Sequence, residues 1–100
     1  MEFNFEYHDI KASTRLEQFA KNKLNKLYSK FEMIVRADVF FKKENTSSED
    51  TGMICGIRLS VPGPRLFAES SHKNFENSIS ESVEDLERQL RKKKGKMKSY

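Results

Sequence analysis

Residues 74–98, NFENSISESVEDLERQLRKKKGKMK, place Phe75, Ile79, Val83, Leu86 and Leu90 at steps of four, four, three and four. That spacing puts all five on one face of an α-helix. A helix from about 75 to 97 would be about 33 Å long at 1.5 Å per residue. Its apolar stripe needs a surface to cover, and the rest of the chain must supply one. Asn74 suits the N-cap, where its side-chain oxygen can accept from an orphan N–H. Acids (Glu76, Glu81, Glu84, Asp85, Glu87) fill the early turns, and bases (Arg88, Arg91, Lys92, Lys93, Lys94, Lys96, Lys98) fill the end. That order complements the helix dipole. Glu84–Arg88 and Glu87–Arg91 are i,i+4 pairs in the favourable orientation. Dipole and pairing need only a few of these bases, so the surplus calls for solubility or a polyanionic partner.

Elsewhere the pattern has period two. In residues 2–8, EFNFEYH, the side chains of Phe3, Phe5 and Tyr7 alternate with polar ones, as in a half-buried strand. Ser13 and Thr14 open a helix, with Thr14-x-x-Glu17 as a capping box. Its stripe is Leu16, Phe19, Ala20, Leu24, Leu27 and Phe31. Residues 34–42 alternate again, with Val35, Ala37, Val39 and Phe41 as the better apolar face. Residues 43–52, KENTSSEDTG, are a polar hairpin loop. Residues 53–61 alternate, with Met53, Cys55, Ile57, Leu59 and Val61 inward. Pro62-Gly63-Pro64 is a turn, and residues 65–71 form a last strand with Leu66 and Ala68 inward.

The expected fold is α+β, in the order β-α-β-β-β-α. Two amphipathic helices cover one face of a four-stranded sheet. The first two strands, joined through a helix, pair in parallel, and the rest form antiparallel hairpins. One hundred residues make a single domain, 1–100. A domain of that size has a radius of gyration of about 13 Å, so the basic end of the last helix should overhang the sheet. The outer face would carry Phe40, Ile54 and Phe67 beside Arg36 and Arg58, either as a scatter of exposed apolar groups or as a minor contact surface.

The hydrophobic share is 36%, and no apolar run approaches the roughly 18 residues of a membrane span. The start, MEFNFEYHD, lacks the basic and apolar regions of a signal peptide. The lone cysteine, Cys55, fits a reducing, cytoplasmic setting, and on an apolar strand face it reads as core. No Cys/His spacing fits zinc and no Gly-rich loop fits a phosphate. No cofactor, metal, small-molecule substrate or catalysis is expected.

Charge is more telling. The net charge is +4, yet residues 88–98 hold seven bases and no acid. At 100° per residue Arg15, Lys23, Lys26 and Lys30 share one flank of the first helix. Arg88, Lys92 and Lys96 align at i, i+4 and i+8 on the last, with Arg91 adjoining. Solvated helix faces would account for each set alone, the lysine stems lying along the core edge. Together, Lys23, Lys26, Lys30, Arg88, Arg91, Lys92 and Lys96 would line a positive groove suited to an RNA backbone, which they would position without reading sequence. With about six phosphates neutralised, log K should fall with log salt at a slope of roughly −4 to −5.

The element order, KLNKL at 23–27, VPGP at 61–64 and LERQLRK at 86–92 after SHKNFENSI resemble the ribosome hibernation promoting factors, also called ribosome-associated inhibitor A or protein Y. The likeness runs from Phe3 to Lys96. It implies a fold related to double-stranded RNA-binding domains and a binder of the small ribosomal subunit and its rRNA. Such a factor occupies the channel for messenger RNA and the A- and P-site transfer RNAs, and so inhibits translation in stationary phase or stress. The family's basic positions fall on Lys23 and Lys26, with Lys30 nearby, and on Arg88, Lys92 and Lys96; Arg91 fits the same surface. The sequence departs from the pattern at Asp85, where a base is usual, and at Asn74, Glu76 and Ser80. It has neither the further domain of long members nor the acidic tail of some short ones, so the resemblance is to the short form. Whether a helper protein lets it pair ribosomes, or it holds single ribosomes idle, is open. The rivals are a general double-stranded RNA-binding module and an interaction protein docking on an acidic partner. An anionic membrane is a poorer fit, because the apolar helix face is needed to cover the sheet.

Overall fold

The computed structural model describes residues 1–97, with side chains up to position 95. The elements are β1 (Glu2–His8), α1 (Thr14–Lys30), β2 (Arg36–Lys43), β3 (Met53–Ser60), β4 (Leu66–His72) and α2 (Phe75–Met97). The strands lie in the order β1-β2-β3-β4. β1 pairs in parallel with β2, Phe3 opposite Ala37 and Tyr7 opposite Phe41. The β2–β3 and β3–β4 pairs are antiparallel, with Val39 opposite Ile57 and Ile57 opposite Ala68. This is the α+β, β-α-β-β-β-α arrangement that the alternating and helical periods predict.

One core joins the sheet to both helices. Leu16, Leu24 and Leu27 of α1 meet Val39, Phe41, Ile57 and Leu59 of the sheet and Ile79, Leu86 and Leu90 of α2. α2 lies over β3 and β4 and packs beside α1. Lys21, 5.7 Å above the Phe5 ring, and the Tyr7 hydroxyl, 2.6 Å from Glu17, tie α1 to β1. Two buried serines lie among the apolar residues of α2. Ser78 donates to the Met53 carbonyl, and Ser82 to the Cys55 carbonyl at 3.0 Å. Each hydroxyl is satisfied, so its burial is not penalised, and the two bonds fix the first half of α2 on β3.

Several local details differ from the sequence reading. The N-cap of α1 is Ser13, whose Oγ accepts from the Leu16 N–H. No Thr14–Glu17 box forms, because Thr14 is already the first residue of the helix; Glu17 accepts from Tyr7. Ile34 rather than Val35 enters the core: Val35 is 61% exposed and Ile34 2%. The turn closed by the Ile34 N–H on the Phe31 carbonyl swings Ile34 under α1, and β2 begins only at Arg36. Met53 and Leu66 are half-buried at strand ends rather than fully inside. At the start of α2, Asn74 acts as the cap, its Oδ1 accepting from the Asn77 N–H at 2.8 Å. Between β3 and β4, Gly63 takes a φ of +89°, a turn conformation that costs glycine little.

The molecule measures 48 × 26 × 19 Å, with a radius of gyration of 13.9 Å. Near the end of α2 a side chain at Gly95 would meet no atom within 4 Å.

Candidate nucleic-acid interface

Burial of Leu16, Ala20, Leu24 and Leu27 sets the rotation of α1. Lys23, Lys26 and Lys30 then fall on the margin that faces α2. With Leu27, Ser80, Val83, Glu84 and Glu87 they line a groove of about 190 Å³ between the helices. Leu27 and Val83 are its buried residues. Beyond it, Lys30, Phe31, Arg91, Lys94 and Gly95 border a wider hollow of about 390 Å³. Lys30 borders both, so the two hollows adjoin, and together they make up a channel along the helix pair. Lys23 Nζ lies 5.5 Å from the Phe19 ring and Lys94 Nζ 5.7 Å from the Phe31 ring. The aromatic rings hold these ammonium groups by cation–π attraction without neutralising them.

Not every cation in the channel is available. Glu87 pairs with Lys30 at 3.6 Å and with Arg91 on its own helix. Arg88 leans on Asp85 at 3.7 Å and shares a shallow hollow with Glu84, Glu87 and Arg91. Among the described residues, Lys23, Lys26 and Lys94 have no carboxylate in ion-pair range. Near the other end of the helix pair Arg15 is bound to Glu76, which holds that carboxyl below its ordinary range. Arg15 clamps the helices together rather than serving the channel.

Five of the seven predicted site residues, Lys23, Lys26, Lys30, Arg88 and Arg91, border these adjoining hollows. Lys92 sits apart from them. Each four-residue step along a helix advances about 40°, so a row from Arg88 through Lys92 climbs away from α1. Lys92 lies about 60° of arc from Gln89, whose amide donates to the Phe67 carbonyl of β4. It therefore stands on the shoulder above the sheet edge. The side chain of Lys96 lies outside the described residues, as does Lys98. Sequence reasoning missed Lys94 as a channel residue and Glu84 and Glu87 as its acids. The signal for Lys94 was present: it continues the apolar stripe four residues after Leu90, which turns it towards α1.

Little else here could do chemistry. Burial pushes the Cys55 thiol up to about 12, far from a reactive thiolate. His72 bonds to Glu81 and lowers that carboxyl, while His8 lies on the opposite edge strand against Phe40. Among the described residues no group of three or more His, Cys, Asp or Glu could hold a metal, and no helix is long and apolar enough to cross a membrane. What the arrangement can do is hold a polyanion along the helix pair.

A sheet of this order under two helices recurs in solved proteins. One is a ribosomal subunit interface protein from Coxiella burnetii, 18% identical, with a TM-score of 0.80 over 95% of this chain and 99% of that one. Another is the N-terminal domain of Protein Y from Thermus thermophilus, 16% identical, with a TM-score of 0.73 over 92% of this chain and 98% of that one. At such identities the likeness is one of fold. No curated protein matches the chain. Its sequence does match, over residues 3–98, the family described as sigma 54 modulation protein / S30EA ribosomal protein, and the chain belongs to that family. It is a family of ribosome-associated factors and not a known family of enzymes.

Proposed function

We propose that the protein is a hibernation factor, a non-enzymatic inhibitor of translation. It binds rRNA of the small ribosomal subunit along the channel between α1 and α2. There it occupies the path of messenger and transfer RNA in the cytoplasm of stressed or stationary-phase cells. The action is steric, so it needs no cofactor and no catalytic group.

The observation that carries this reading is the shared channel, in which, among the described residues, Lys23, Lys26 and Lys94 make no ion pair, while Lys30 and Arg91 share Glu87. Family membership and the ribosomal interface named for the Coxiella burnetii structure support the choice of partner. The spacing of cations along a groove, with no aromatic platform on α2 beside them, suits the backbone of folded RNA rather than a string of stacked bases. Neutralising about four to six phosphates gives a salt slope of about −3 to −5.

The test is cosedimentation with small subunits of wild type and of the Lys23→Glu/Lys26→Glu variant, with melting curves to check the fold because Lys23 is only half-exposed. The double variant should leave the ribosomal fraction while melting normally, and Lys92→Glu should weaken binding less. Unchanged cosedimentation of the double variant would overturn the proposal. Free duplex RNA that competes as well as small subunits would replace it with a general double-stranded RNA-binding module.

A further inference from the structure

Among the described residues no element covers the face of the sheet opposite the helices, and its residues are not random. Phe40 of β2 and Phe67 of β4 lean toward each other across β3, their rings 6.2 Å apart and within 14° of parallel. Phe67 is 44% exposed. The pair can meet because Gly56 lies between them in register with Phe40. A Cβ on Gly56 would stand 2.1 Å from the Phe40 ring. A glycine inside a strand often marks such a close approach. Beside the rings opens a concavity of about 400 Å³, bordered by Arg36, Arg58 and Arg65 as well as Glu6 and Asp38. Asp38 is taken by Arg36 at 2.9 Å. Among the described residues Arg58 and Arg65 have no ion-pair partner.

Parallel aromatic faces next to unpaired guanidinium groups match the two halves of a nucleotide. A base has a π-face that stacks on phenylalanine, and its phosphate takes the forked donors of arginine. We propose that this outer face is a second nucleic-acid site, which takes a short unpaired RNA segment with a base against Phe40 and Phe67 and a phosphate at Arg58 and Arg65. A cavity of this size falls within the range of small-ligand clefts and suits a nucleotide or two. The opposite end of the same face carries Asp9, Glu44 and Glu69 around Lys42, which is itself bound to Glu44 at 3.3 Å. A long duplex laid across the sheet would bring phosphates against those carboxylates, whereas a short single strand confined to the arginine end avoids them. An acidic peptide would satisfy the arginines but leave the ring pair without a stacking partner.

The inference stands on the sheet alone and does not need the helix channel. Its test is fluorescence anisotropy of the full chain with a labelled single-stranded RNA hexamer, beside a duplex of equal length and an aspartate-rich peptide. Phe67→Ala should weaken the hexamer about tenfold, which is about 1.4 kcal/mol, and Arg58→Gln/Arg65→Gln by at least as much. Lys23→Glu/Lys26→Glu should leave hexamer binding at the sheet intact, so the two sites fail separately. Amide chemical-shift changes should map to β2, β3 and β4. Hexamer binding that ignores Phe67→Ala, that vanishes only with the helix variant, or that yields at the arginines to the peptide but not to RNA would overturn the proposal.

Discussion

Glu87 sits where an RNA backbone would pass, and replacing it by glutamine tests the channel directly. Its carboxylate lies 3.6 Å from Lys30 Nζ and also bonds Arg91. A phosphate bound to the outer side of Lys30 would lie about 6–7 Å from that carboxylate. In water two like charges at this separation repel by about 0.6 kcal/mol. Screening at physiological salt roughly halves the figure, and the partly buried position of Glu87, whose side chain is 24% exposed, restores some of it. For two phosphates, one at Lys30 and one at Arg91, the relief comes to about 0.6–1 kcal/mol, or three- to fivefold tighter binding. Glutamine keeps the size of the side chain and an acceptor for Arg91. Losing two exposed ion pairs should lower folded stability by no more than about 1 kcal/mol. The assay is anisotropy of a labelled rRNA duplex at several salt concentrations, with melting curves in parallel. The gain should be greatest at low salt and fade as salt rises. Weaker RNA binding by Glu87→Gln at every salt concentration would refute the reasoning, because the carboxylate would then be organising its two cations for the ligand rather than competing with it.

Three further outcomes follow from the packing. Gly56→Ala should expel the Phe40 ring from the sheet surface and destabilise the fold by about 1–3 kcal/mol, read as a lower urea midpoint with an unchanged slope. Cys55, wholly buried with its thiol pushed up to about 12, should resist a thiol reagent at pH 8 until denaturant unfolds the chain; fast labelling of native protein would contradict the buried strand face. Arg15 holds the Glu76 carboxyl below its ordinary range. A carboxyl lowered on folding adds stability above its unfolded pKa, and that contribution is lost as pH falls through the folded value. Arg15→Gln should therefore cost a fraction of a kcal/mol near neutral pH, as for other exposed pairs. The difference from wild type should close as acid titrates the carboxyl, and melting curves from pH 7 to pH 2 would show it.

The periods of the sequence were enough for the architecture because each element buries one face only. Phe75, Ile79, Val83, Leu86 and Leu90 could form a stripe in no other way, and Asn74 capped the helix as its side chain allows. Ile34 and Val35 show where that logic ends. A tight turn before β2, set by a backbone bond from Ile34 to Phe31, breaks the alternation at these two positions, while Ala37, Val39 and Phe41 keep it. The channel was legible on α1, where the buried leucines fix the lysine flank. On α2 the angles alone did not say which shoulder would meet α1. Arg91 and Lys94 lie on that shoulder and Lys92 on the other, while Glu84 and Glu87 came with it. Ser78 and Ser82 were unreadable as core, because only the carbonyls of Met53 and Cys55 make their burial affordable.

Those two hydroxyls make α2 a beam bolted at its root, while towards its tip Lys94 rests on the Phe31 ring. Whatever grips the outer turns will load the root, where the serines meet the central strand. Backbone amides of β3, more than twenty residues away in sequence, should thus exchange with solvent more slowly when the tip is occupied.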